Sequence, residues 1–181
     1  MPTLILLIGS AGLSSCAPEQ RQPISQEPER VKAHTRDYPG ITPEQVLKAS
    51  EKIFQLADGN DMKIKRGSSV LEVKRSLNSL VYRSSWERWT VETREEDGAT
   101  YVTVSAEFDK EGSIVYPRGV GAYNLFFARL DYMLGASKNW MTCTQYEVRL
   151  LRDPTWGHDD RFLCDHANDN VPEGPLNLTD G

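Results

Sequence analysis

The densest gathering of side chains able to do chemistry lies near the C-terminal end. There Gly157-His158-Asp159-Asp160 and Cys164-Asp165-His166 put two histidines, three aspartates and one cysteine within ten residues. Imidazole, thiolate and carboxylate are the usual ligands of zinc and related metals. Yet the stretch contains no HxxxH, HExxH or CxxC, the spacings that bring two ligands to one ion. It reads as a solvated acidic loop, with no metal and no cofactor; a metal-dependent hydrolase built around His158 and His166 is the rival. Serine is plentiful but never framed as a nucleophile elbow, and neither a Gly-rich phosphate loop nor a triad is present. The expectation is a protein that is not an enzyme.

Charge narrows the partners. With 21 Lys+Arg against 26 Asp+Glu the net charge is −5, and no long basic run stands out. Binding to a phosphate backbone has no electrostatic footprint in such a sequence, so no nucleic-acid partner is expected.

Of the three cysteines, the first sits where it can be read most closely. Residues 4–13 form an apolar stretch too short to span a bilayer but as long as the hydrophobic region of a signal peptide. It runs into Leu13-Ser14-Ser15-Cys16. That tetrad resembles the lipobox of bacterial lipoproteins: an aliphatic residue, two small residues, then cysteine. The resemblance implies a signal peptide over 1–15, cut before Cys16, whose thiol carries a diacylglyceryl group and whose new amino terminus is acylated, palmitate being the usual chain. Buried acyl methylenes contribute about 0.8 kcal/mol each, so such an anchor holds. Ala17 rather than Asp follows the cysteine, which in enterobacteria-like sorting implies the outer membrane, with the folded part facing the periplasm. Met1-Pro2-Thr3 lacks the basic residues that normally open a signal peptide, so translation is expected to begin upstream.

Export decides the reading of the other two cysteines. Outside the cytoplasm thiols are oxidised, so Cys143 and Cys164 are expected to pair. The bridge closes a loop of about twenty residues, worth roughly 3 kcal/mol by restricting the unfolded chain. A paired Cys164 is also lost as a thiolate ligand.

The elements that carry these residues follow from pattern. Residues 16–40, rich in Pro, Gln, Glu and Arg and including His34, read as the lipidated cysteine and a flexible tether. The domain is expected over 41–164, opening on a helix with Thr42 as cap, Pro43 at the first helical position and Gln45 closing a capping box. Val46, Ala49, Ile53 and Leu56 form its stripe, and Asp58-Gly59-Asn60 ends it. Strands are expected at Met62–Ile64, Val70–Val73 and Ser79–Arg83. The strongest hairpin runs from Trp86 to Arg94, turns at Glu96-Asp97-Gly98 and returns over Thr100–Asp109, Asp-Gly being a strong turn signal. A second helix is expected over Gly121–Leu134, with Tyr123, Phe126, Phe127, Leu130, Met133 and Leu134 on one wide stripe. A last strand follows over Gln145–Leu151, and 165–181 reads as a disordered tail.

This order of elements predicts an α+β fold: an antiparallel sheet of four to five strands with two helices packed on one face. In element order it resembles the helix-grip lobes of lipoprotein subunits in outer-membrane assembly machines. Trp86 and Trp89, three apart on a strand, face opposite sides, so one is core and the other a contact candidate. Arg129 and Asp131 read as surface charges or a local ion pair on the polar side of the second helix. The function expected is a non-enzymatic, membrane-anchored lipoprotein that binds other envelope proteins as an assembly or accessory subunit. The alternative is a periplasmic small-ligand or lipid-binding domain, with Trp86, Trp89, Phe126 and Phe127 as candidate contacts.

Overall fold

A computed structural model of the chain describes residues 34–58, 62–77, 85–110, 114–156, 161–164, 172 and 174–176. Cys16, the lipobox, the expected strand over 79–83, both histidines of the acidic loop and most of the expected tail lie outside these residues.

The fold is α+β, one antiparallel sheet carrying helices on one face. Its strands are β1 (Thr35–Pro39), β2 (Met62–Arg66), β3 (Val70–Leu77), β4 (Ser85–Glu96), β5 (Ala99–Lys110) and β6 (Ile114–Pro117). The order across the sheet is β1-β5-β4-β3-β2, with β6 also on β5, so β1 and β6 share one side of that long strand. The helices among the described residues are α1 (Pro43–Asp58), α2 (Val120–Met133) and α3 (Cys143–Arg152), followed by short 3-10 turns at Pro154–Trp156 and Arg161–Cys164.

The β4–β5 hairpin organises the sheet. Asp97 and Gly98 both take positive φ, 53° and 75°. Two such residues are what a two-residue turn needs to match the twist of its flanking strands, and Gly supplies that conformation without strain. Glu96 faces Ala99 and the register runs on to Trp86 opposite Asp109. Alternation then sorts the side chains. Leu71, Val73, Trp89, Val91, Val102, Val104 and Ala106 are buried beneath the helices. Glu72, Lys74, Arg88, Glu92, Thr103 and Ser105 are exposed on the other face.

The capping box opens α1 as expected. Gln45 N–H donates to Thr42 Oγ1 at 3.3 Å, and Thr42 N–H donates to Gln45 Oε1 at 2.9 Å. Val46, Leu47, Ala49, Ile53 and Phe54 are fully buried against β2, β3, β4 and α2. α2 brings Tyr123, Phe126 and Phe127 onto the same core, where the Phe126 ring lies 5.7 Å from Phe54 and 6.1 Å from Trp89.

Three expectations are corrected. The segment 145–151 is helical, not a strand. Its alternation of Tyr146, Val148 and Leu150 imitates a strand, but Thr142 and Gln145 form a reciprocal capping box and only Cys143 and Tyr146 are buried, one helical turn apart. Among the described residues there are therefore three helices rather than two. Five strands among the described residues lie along the path of the sheet, as expected, and β6 adds a short sixth on β5. β1 lies inside the region read as tether, so the fold begins before Ile41. Its sequence, Thr35-Arg36-Asp37-Tyr38-Pro39, buries Tyr38 alone and sends no periodic signal.

β5 has a stretch between β1 and β6 that neither strand covers. There the Tyr123 hydroxyl accepts from Ala106 N–H at 3.2 Å and donates to Ala106 C=O at 3.3 Å, with Arg118 N–H on the same carbonyl. The His34 ring packs on Tyr123 at 3.8 Å.

Candidate interaction surfaces

Two exposed regions and two buried polar clusters stand out. The first region is the uncovered face of the sheet. Lys63 on β2 faces Lys74 on β3, Lys74 faces Arg88 on β4, and Arg88 faces Glu107 on β5. Beside this row Trp86 is half-buried, with Lys74 Nζ 5.1 Å and the Arg88 guanidinium carbon 4.8 Å from its ring centre. At those distances a cation is attracted by the ring's negative face. Further along the face, Thr35, Ser69, Glu92, Arg94, Tyr101 and Thr103 line an open hollow of about 670 Å³. Its Arg94 is engaged by Glu96 at 2.9 Å.

The second region is the outer side of α3. Val148 is 41% exposed and Leu151 87%. Three residues apart, they share one side of the helix. α3 is held firmly: its capping box closes the start, Arg149 pairs with Asp153 at 3.1 Å near the end, and Cys143 is bonded to Cys164 with Cα atoms 5.5 Å apart. The Thr155 hydroxyl donates to Asp153 and, with the nearby Arg149, holds that carboxyl below its ordinary range.

The first buried cluster is centred on Arg129, which is 1% exposed. The sequence reading as a surface charge is corrected. Arg129 donates to the carbonyls of Met141 at 3.1 Å and Leu163 at 2.9 Å, and its Nη2 lies 3.3 Å from Cys143 Sγ and 3.7 Å from Cys164 Sγ. Its guanidinium carbon also sits 4.8 Å from the Trp140 ring centre. A buried cation is tolerable only with such partners. Asp131, by contrast, forms an ion pair, though not a local one: it joins Arg36 and Tyr38 of β1. Burial, and then the Asp131 carboxylate, push the Tyr38 hydroxyl above its ordinary pKa.

The second cluster is Glu87, fully buried on the helix-covered face. Its carboxylate accepts from Arg118 Nε at 2.8 Å and from Trp89 Nε1 at 2.9 Å, and Arg118 Nη2 lies 2.6 Å away. The fork from arginine and the indole N–H together compensate the desolvated charge. Alternation along β4 places Glu87 inside, although nothing in the sequence named it. The same holds for the cation row, whose lysines are visible in the sequence but whose register against Arg88 is not.

The sequence-derived candidates separate. Trp86 lies on the open face and Trp89 in the core, as the strand period requires. Trp89, Phe126 and Phe127 are 0% exposed and touch one another's rings, so they fill the interior instead of lining a hollow. Neither this hollow nor a second one around Ala128, Trp140 and Gln145 includes them. Among the described residues no group of three His, Cys, Asp or Glu side chains gathers as metal ligands would, and no helix is long and apolar enough to cross a membrane.

No protein-family model matches the chain, and no curated protein sequence matches it. Among solved structures it is similar to a DUF4468 family protein from Bacteroides ovatus ATCC 8483, at 11% identity over 72% of this chain and 90% of that one, with a TM-score of 0.28. So slight a likeness carries no argument about this chain.

Proposed function

We propose that this chain is a bacterial envelope lipoprotein, anchored through an acylated Cys16 in the outer membrane, whose α+β domain docks on other envelope proteins from the periplasmic side. The observation that carries the docking is α3. It presents Val148 and Leu151, the large hydrophobic side chains left exposed among the described residues, on a helix that a disulfide and Arg129 hold in place. Scattered apolar residues on a surface are ordinary; two on one side of a rigid, staple-held helix form an anchor that loses little entropy on binding. The domain works by contact and not by catalysis. The alternative, a ligand carrier, is weakened because the rings that would line its cavity pack against each other.

The test is affinity capture of the chain from detergent-solubilised cells after crosslinking. The same envelope protein should be recovered with wild type and lost, by about tenfold or more, with Leu151→Asp, a change at an exposed site that leaves thermal unfolding within a degree or two. Recovery of the chain alone at every expression level would refute the reading. Mass spectrometry of the purified chain checks the anchor: an intact Met1 and a free thiol at Cys16 would remove it.

A further inference from the structure

The open face of the sheet holds an arrangement that stability does not explain. Lys63, Lys74 and Arg88 stand directly opposite one another on three adjacent strands. Like charges so placed repel and weaken the pairing, whereas alternating signs would strengthen it. Carboxylates are close at hand, with Glu72 on β3 and Glu107 at the end of the row. Yet among the described residues Lys74 and Arg88 form no ion pair, and both are drawn to Trp86 instead. All this occurs in a chain whose net charge is −5. A cationic row whose Lys74 and Arg88 turn to an indole rather than to the adjacent acids is suited to an anionic surface that is apolar just below.

We propose that Lys63, Lys74, Arg88 and Trp86 form a docking face for an anionic phospholipid bilayer. Each lysine or arginine near such a surface strengthens binding about fivefold, and tryptophan settles at the level of the headgroups. The path of the chain favours a bilayer over an acidic polypeptide. Thr35 faces Thr103 and Pro39 faces Ala99, so β1 enters from the end of β5 that carries Glu107, the neighbour of Arg88. The segment leading back to Cys16 therefore joins the domain at the end of the sheet that holds the cation row, about 13 Å along β5 from Thr103. An anchor reached through that end draws it toward the membrane. The choice of a bilayer rests on the anchored reading above; the cation row does not.

The test uses the chain as purified from cells, mixed with vesicles of phosphatidylcholine alone or with phosphatidylglycerol added, the acyl chains brominated to quench tryptophan on contact. Quenching should be stronger with phosphatidylglycerol, vanish at high salt, and disappear in Trp86→Phe. Lys74→Glu turns the row into alternating signs, so it should fold at least as stably while weakening the preference for phosphatidylglycerol vesicles by roughly tenfold or more. Equal quenching by both vesicles, or undiminished preference in Lys74→Glu, would overturn the proposal. So would tight binding to polyglutamate with no preference among vesicles, which points to an acidic protein. If the chain proves to carry no acyl group, the anchored reading fails alone: the chain then no longer floats with phosphatidylcholine vesicles, and flotation with phosphatidylglycerol vesicles still tests the row.

Discussion

Tyr38 ties the first strand to the second helix through a single carboxylate. Its hydroxyl donates to Asp131 Oδ1 at 2.8 Å while Arg36 donates to Oδ2, and the Arg36 guanidinium carbon sits 4.7 Å from the Phe127 ring centre. Because burial and the adjacent negative charge both resist ionisation, the folded protein keeps the phenolic proton above the pH at which the unfolded chain releases it, about 10. The stability from this bond is whole below that pH and is lost as pH rises beyond it. The expected outcome is that unfolding free energy, measured in urea from about pH 9 to 11, falls more steeply for wild type than for Tyr38→Phe, by about 1.4 kcal/mol per pH unit above 10. Parallel curves would mean that Tyr38 ionises alike in both states. Arg129 shows the opposite case, a charge that stays buried because it finds carbonyls, sulfurs and an indole on every side. Neither arrangement is written in the local sequence, since the partners lie 95, 93, 12 and 34 positions away.

The helix α3 illustrates what local pattern carries and what it loses. Its capping box places Thr142 Oγ1 on Gln145 N–H at 3.1 Å and Gln145 Oε1 on Thr142 N–H at 3.0 Å. Thr142→Ala removes this cap and should cost about 1 kcal/mol. Hydrogen exchange checks it: first-turn amides of α3 should exchange about fivefold faster while the β4–β5 ladder keeps its protection. Unchanged exchange would show that the disulfide alone holds the turn. The same Thr-x-x-Gln signature was legible at Thr42 and Gln45, where a long apolar stripe followed it. At Thr142 the stripe is short, only Cys143 and Tyr146 with Leu150 half-buried, and the interleaved polar residues imitate a strand. The β4–β5 hairpin and α2 could be read because Asp97-Gly98 and the aromatic stripe are local signals. β1 and β6 could not, being five and four residues long and defined by the edge of β5 that accepts them. Of the candidate sites, the pairing of Cys143 with Cys164 was accessible from compartment, and the strand period showed that Trp86 and Trp89 part to opposite faces without showing which is buried. The cation row needed the register of three strands.

Seen whole, the molecule is a helix-covered sheet with a stapled extension. The Cys143–Cys164 bond spans 21 positions and attaches the last turns to α2 through Arg129. Gly121 allows the approach: a Cβ there would come within 2.5 Å of the Trp156 carbonyl and 2.8 Å of the Tyr146 hydroxyl. Opening the bond frees the unfolded chain from a closed loop, so Cys143→Ser/Cys164→Ser should unfold with about 3 kcal/mol less free energy than the oxidised protein. Equal stability with and without reductant would show the staple to be idle. The lateral boundaries of the sheet have a consequence of their own. β2 carries Lys63, Lys65 and Arg66 along one border, Pro39 closes β1, and the Tyr123 hydroxyl and Arg118 N–H occupy the backbone of Ala106 between β1 and β6. Charged edges, proline and a capped carbonyl each deny a ladder to an incoming peptide. Recruitment by β-augmentation and fibril-like stacking of copies are thus both discouraged, and a neighbour must engage this molecule by its broad sides.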